Sequence, residues 1–366
     1  MTGDFERSDG MAYLQTGSVG PIPRPVLEAH YRRILRFNAG GSPDELVAEA
    51  MAVRGKLARL VGAGPDEITL TSSTSDGLIQ VLAALNLGPG DEVVTSDVEH
   101  AALEAPLVHL ATRRGVLVHA VPGLSPAGVA GALNARTRLI AASHVAYAGG
   151  ARLPVAEVAR LAAAHGVPFL VDGAQAAGAL PLDLKELGCD FYAFPGYKWL
   201  LGPAGTGALY VARRHLEPGG LEPWLGGFAG LTRRDLRTGQ CQFAAGAERF
   251  ERGTMPFHDF ACLAGALDYV RDQGDVSARI AELASYLATE LARVPGVRVL
   301  TPPGSSGLVS FALPVDAVAA VEELRRLDGV IVRSVPPSAL RASTHFFNTR
   351  EEVDRLVRGA ARLART

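Results

Sequence analysis

The chain has 366 residues, 48% of them hydrophobic, and its 36 basic and 38 acidic side chains leave a formal net charge of −2. That is ample apolar material for two cores, and with no block of one sign it gives no electrostatic footprint for nucleic acid or an anionic membrane surface. The three cysteines, Cys189, Cys241 and Cys262, are odd in number and far apart, which suits neither a disulfide framework nor a metal site.

The N-terminal MTGDFERSDG is polar and carries acids, unlike a secretory signal or transit peptide, and no apolar run is long enough to span a bilayer; a soluble, cytoplasmic protein is the expectation. Tyr13–Pro23, YLQTGSVGPIP, reads as a Gly/Pro-rich loop feeding a helix over Arg24–Phe37, and a second helix runs from Asp44 to Val61. A strand at Glu67–Leu70 then leads through the hydroxyl cluster TSSTSDGL into a helix from Ser75 to Leu87. Free N–H groups and the helix dipole would make that junction a phosphate cradle, and a plain Ser/Thr N-cap is the alternative. Strands follow at Asp91–Thr95, Val116–Val121, Arg138–Ala142 and Val167–Val171, with helical spacing at Gly128–Ala135 and Val155–His165. This alternation predicts an α/β fold with a mainly parallel, doubly wound sheet. Beyond Val211, Gly219–Gly230 and the run near Ala244 suggest long loops; helices over His258–Asp272 and Ser277–Val294 lead to a small α+β domain. In it, strands at Gly307–Leu313, Gly329–Arg333 and Leu340–Ser343 are joined by helices over Val315–Leu327 and Glu351–Leu363. The expected division is an N-terminal segment 1–20, a large domain 21–257 and a small domain 258–366.

The stretch from Pro168 to Trp199 carries the chemistry. Two short apolar runs, Phe169–Val171 and Phe191–Phe194, are closed by Asp172 and by the turn that holds Lys198, so both charges face the C-terminal edge of the sheet. Lysine is scarce here: only Lys56, Lys185 and Lys198 occur. Lys56 lies off the apolar stripe of its helix and reads as solvated, and Lys185 falls in a polar turn. Lys198 stands between Tyr197 and Trp199, poor surroundings for a surface amine; a desolvated lysine has a depressed pKa and can form a Schiff base. With a carboxylate opposite, that points to pyridoxal phosphate, whose ring nitrogen an acid keeps protonated. A structural Asp172–Lys198 salt bridge is the alternative.

VDGAQ followed by DFYAFPGYKW and GPAGTGALYV resembles the cofactor-binding segment of the class V aminotransferase superfamily of fold-type I pyridoxal-phosphate enzymes, and the resemblance covers nearly the whole chain. It implies Lys198 as catalytic lysine and Thr74 and Ser75 as phosphate ligands. It further implies His100 stacked on the pyridine, Gln175 reaching the ring oxygen and Thr254, in RFERGTMPF, crossing a homodimer interface to the partner's phosphate. Tyr147 aligns where desulfurases carry Asn, and aromatic residues there resemble the C-S lyases. RASTHFFNTREEVDRL resembles the C-terminal motif whose Arg341 binds a substrate carboxylate, while Arg333 matches a second arginine of the cystine C-S lyases. Taken alone, His100 reads as a surface or capping residue, Tyr147 as packing and Arg333 as a surface residue. Two departures mark the phosphate site: Pro195 has no donor where Ser or Thr is usual, and Tyr197 replaces His.

The implied substrate is an amino acid, and cystine or a cysteine conjugate losing its sulfur group by β-elimination ranks first. A cysteine desulfurase needs a nucleophilic thiol before the carboxylate-binding arginine, and Ser334–Leu340 has none; Cys241, in an expected loop, is the one stand-in. Transamination, epimerisation and a non-catalytic binding protein of the same fold are the remaining alternatives.

Overall fold

In the computed structural model, which describes residues 2–5 and 10–365, the N-terminal stretch opens with the two-residue strand β1 (Ala12–Tyr13) and the helices α1 (Arg24–Asn38) and α2 (Pro43–Leu60). Residues 1 and 6–9 of the polar N-terminus, and residue 366, lie outside the described residues. Ser42 caps α2 by accepting from the Glu45 amide, and Pro43 begins the helix where a missing N–H costs nothing. Strand and helix then alternate: β2 (Ile68–Thr71), α3 (Thr74–Ala84), β3 (Glu92–Ser96), α4 (Ala101–Arg114), β4 (Leu117–Val121) and α5 (Pro126–Ala132). After these come β5 (Thr137–Ser143), α6 (Val155–Ala164), β6 (Phe169–Asp172), the one-turn α7 (Leu184–Leu187), β7 (Phe191–Pro195) and β8 (Gly207–Val211).

These strands form a seven-stranded sheet in the order β2-β8-β7-β6-β5-β3-β4, in which only β8 runs against the rest. Leu57, Val155, Val158 and Ala162 pack with Val171 and Tyr192 on one face, while Leu78, Val81 and Leu103 pack with Leu170 and Ala193 on the other. Burial on both faces is why β6 and β7 read as continuous apolar runs. The chain steps from β3 outward to β4 and returns across β3 to β5, so its direction of winding reverses between β3 and β5, where open α/β sheets hold their ligands.

The supposed long loop after β8 contains an antiparallel hairpin of β9 (Leu231–Asp235) and β10 (Gln240–Phe243), which places Cys241 on a strand. Next come α8 (Phe257–Arg271), α9 (Val276–Ala292), β11 (Arg298–Val299), β12 (Leu308–Ala312), α10 (Ala317–Asp328), β13 (Val330–Ile331), β14 (Arg333–Val335), β15 (Ala339–Ser343) and α11 (Arg350–Leu363). The antiparallel sheet β11-β12-β15-β14 and α9–α11 enclose the second core, around Leu287, Phe311, Leu324 and Leu356.

Four local readings differ from the structure. The stretch Gly329–Arg333 is two strands, because β13 pairs with β1 while β14 pairs with β15. Helix α8, within the span assigned to the small domain, buries Phe260, Leu263 and Leu267 in the large core, and Leu14 of the N-terminal segment joins the small one. Lys56 is not solvated: its ammonium pairs with Asp268 and donates to the Ala264 carbonyl, tying α2 to α8. Lys185 lies in α7, 3.4 Å from Glu67.

Candidate active site

Asp172 is the last residue of β6, and the turn that follows requires glycine, since a Cβ on Gly173 would lie 1.9 Å from the Tyr192 ring. The Asp172 carboxylate is 4% exposed and accepts the Ala174 amide at 2.8 Å. Burial raises its pKa, and the Ala174 amide and Lys198 oppose that rise. Lys198 follows β7 on the neighbouring strand. Desolvation pulls its amine down to about 8; Asp172 resists this, and Arg341 and Arg333 push the same way. The other two lysines have ion-pair partners.

The N-terminal glycine loop lies directly on this lysine. Gly20 donates its amide to the Tyr197 carbonyl at 2.8 Å, and a Cβ on Gly20 would fall 2.1 Å from the Lys198 carbonyl oxygen, so no side chain fits there. Gln175 holds the same loop, donating to the Gly17 carbonyl at 2.8 Å while its oxygen accepts from the Trp199 indole at 3.0 Å.

One narrow cavity brings together Lys198, Asp172, Gln175 and Tyr197 with Thr74, Ser75, His100 and Tyr147. Ser73 caps α3 by accepting from the Asp76 amide, leaving the Thr74 and Ser75 amides without an intrahelical acceptor at the positive end of the helix. His100 caps α4, its Nδ1 accepting the Ala102 amide at 3.0 Å, and its ring meets Tyr147 edge to face at 4.8 Å. Burial, then the cations of Lys198, Arg333 and Arg341, lower its pKa. Burial, with the Asp172 charge, raises that of Tyr197.

Arg333 and Arg341 stand opposite each other across β14 and β15. Both donate to the Ser18 hydroxyl, at 3.2 and 3.1 Å, and Arg341 also donates to the Tyr147 carbonyl at 2.5 Å. Arg341 is 1% exposed, its Nε has no partner, and neither arginine has an acidic partner among the described residues. Burial and Arg333 oppose the Arg341 charge, yet a guanidinium does not surrender its proton in a protein, so the pair is a standing attraction for an anion.

Thr254 does not line this cavity; it is exposed on the segment before α8. Three groups at the site escaped the sequence reading. Ser18 joins the two arginines, and Ser143 lines the cavity beside Glu99, whose carboxylate accepts the Ser143 amide and hydroxyl. A Ser inside the glycine loop and an acid next to His100 were the available signals.

A larger cavity of about 520 Å³ lies between α9 and the loop at 301–307, where Arg293 is the only charged lining residue, so it offers no acid–base chemistry. Among the described residues no helix is long and apolar enough to cross a membrane.

A family model described as Aminotransferase class-V matches residues 21–356. The chain is similar to isopenicillin N epimerase of Streptomyces clavuligerus, at 34% identity over 379 aligned residues, 94% of this chain and 92% of that protein. Cysteine desulfurase of Klebsiella pneumoniae (strain 342) is 34% identical over 385 residues, 96% of this chain and 93% of the relative. Among solved structures, a mutant of C-DES with glycine covalently linked to its pyridoxal-phosphate cofactor superposes with a TM-score of 0.91 at 31% identity, covering 100% of this chain and 99% of that one. The cystine C-S lyase C-DES in complex with its product, cysteine persulfide, superposes with a TM-score of 0.89 at 32% identity, covering 97% and 98%.

Proposed function

The chain belongs to the class V aminotransferase family and is a pyridoxal-phosphate enzyme, and from that premise we propose that it eliminates the sulfur substituent of cystine or a cysteine S-conjugate. The observation that carries this reading is the short β14–β15 hairpin, which presents two unneutralised arginines and, at 336–338, only Pro-Pro-Ser. A desulfurase would need a thiol there. Cys189 and Cys262 are buried, Cys241 is exposed on β10, and none of the three lines the cavity.

The residues present fit the cofactor. The free amides of Thr74 and Ser75, with the Tyr197 hydroxyl, would hold its phosphate, His100 would flank its ring, Asp172 would face the ring nitrogen and Lys198 would bind its aldehyde carbon. Gln175 has one amide hydrogen left for the ring oxygen, because its other hydrogen and its oxygen are engaged. When bound, the cofactor supplies an electron sink for charge developing at the substrate Cα. Lys198, with an amine near 8, is suited to take the Cα proton at neutral to mildly basic pH. Arg341 would grip the α-carboxylate through Nε and Nη, and Arg333 the second carboxylate of cystine. Cleavage of the Cβ–S bond expels the sulfur group with both bonding electrons, a persulfide from cystine or a thiolate from a conjugate, and water completes the balance to pyruvate and ammonium.

We further propose a homodimer. Thr254 is exposed beside a loop that leaves Trp224, Leu225 and Phe228 largely uncovered, and a second copy would bury these and bring Thr254 to the partner's phosphate. The test is product analysis with cystine: pyruvate, ammonia and persulfide in equal amounts are expected. Alanine as the main product, abolished by Cys241→Ala, would give desulfuration instead, and an inverted Cα without pyruvate would give epimerisation.

A further inference from the structure

Strands β3 and β5 pair only as far as Val94 and Ile140. Beyond that point β3 keeps its ladder with β4 to Ser96, and β5 keeps its ladder with β6 to Ser143, so the two tips part at the switch point of the sheet. A parted ladder leaves backbone donors unsatisfied unless another group meets them. Here a side chain does so. Glu99 accepts the Ser143 amide at 3.0 Å on each carboxylate oxygen and the Ser143 hydroxyl at 2.5 Å, and it accepts the Ser96 hydroxyl from the other tip. Its carboxylate is thus a bridge across the gap in which the cavity opens. Ser143 sits opposite Asp172 in the ladder, and His100 is the next residue after the bridge.

We propose that Glu99 is a positioning residue, tethering the splayed tips of β3 and β5 and thereby fixing His100 and the Ser143 wall against the cofactor ring. It touches neither cofactor nor substrate; it acts through His100 and Ser143. The Ser143 amide can only donate, so toward it the carboxylate acts as an acceptor. Burial, with the nearby Asp172 charge, raises its pKa and the donors from Ser143 and Ser96 oppose this, as a tether held at some cost in desolvation would require. The inference rests on the pyridoxal-phosphate reading, and its test keeps the two separate.

Equilibrium dialysis of the holoenzyme, with the induced circular dichroism of the bound cofactor, makes the measurement. Glu99→Ala is expected to raise the cofactor dissociation constant by about 10- to 100-fold, the range for loss of a supporting hydrogen-bond partner, and to weaken the dichroism as the ring loses its fixed setting. Glu99→Gln keeps an oxygen for Ser143 and can donate to Ser96, so it should restore both to within about threefold of the parent. Parent-like affinity and dichroism in Glu99→Ala would overturn the proposal, as would a Glu99→Gln variant as impaired as Glu99→Ala. Should Glu99→Ala fail to fold, Glu99→Asp, which keeps the charge but withdraws it from Ser143, must loosen the cofactor by the same order, and parent-like binding there would overturn it. A parent protein that binds no pyridoxal phosphate would instead overturn the cofactor reading beneath it.

Discussion

The floor of the site, at Asp172 and Lys198, and its roof, at Arg333 and Arg341, solve opposite problems with charge. On the floor, one acid and one amine rise from adjacent parallel strands, and burial pulls both toward their neutral forms. On the roof, two guanidiniums face each other across antiparallel strands with only Ser18 between them, an arrangement of like charges that a sheet normally avoids. On the proposed reading the floor would move a proton and the roof would capture an anion. Titratable groups serve the first task, and groups that never titrate serve the second.

The largest effect should come from the floor. Lys198→Ala removes the base and the covalent anchor together, and turnover is expected to fall by about 10⁴-fold, the upper range for loss of a general base. Borohydride treatment of the parent should fix the cofactor on Lys198; label on Lys56 or Lys185 would break the assignment. At the roof, Arg341→Gln is expected to lower kcat/KM by about 100-fold or more, mostly through KM, as truncation of one member of a buried charge pair does. An unchanged KM would show that the substrate carboxylate binds elsewhere.

Arg333→Gln should cost less, about 10-fold on cystine and little on a cysteine conjugate with one carboxylate, because only the second carboxylate loses its partner. Equal losses on both substrates would merge the two arginines into a single function. Since the change also relieves a like-charge pair, the melting temperature of the substrate-free protein should not fall.

The floor was legible in the sequence and the connections around it were not, for a physical reason. Strands β6 and β7 are buried on both faces, so each reads as an apolar run closed by its functional residue. Glu99 and Ser143 matter only because β3 and β5 part in space 44 residues apart in the chain, and no local pattern encodes that separation. The same holds for Lys56: its partner Asp268 lies 212 residues away, so the helix stripe shows only that the lysine is off the core face. Hairpin β9–β10 reads as loop in the sequence because its strands are mostly exposed and lack the in–out alternation that marks a half-buried pair. The roof was legible as residues, Arg333 and Arg341, but the Ser18 hydroxyl between them comes from the opposite end of the chain.

The smallest expected effect sharpens the contrast between titrating floor and fixed roof. In the protein freed of cofactor, the Lys198 amine is held down to about 8 from its ordinary value of 10.5. Between those two values the unfolded chain binds a proton at this lysine that the folded chain does not, so folding stability from this group rises with pH across the window and is constant below it. Tyrosines whose pKa values are raised, such as Tyr197, add an opposite slope only above their ordinary value near 10. Lys198→Met leaves those tyrosines in place and removes the lysine. The difference in stability between parent and Lys198→Met, from denaturant titrations at closely spaced pH values, should therefore change between about 8 and 10.5. A flat difference across that window would mean that the amine keeps its ordinary pKa when folded, and Lys198 would then lose the property that suits it to take the Cα proton.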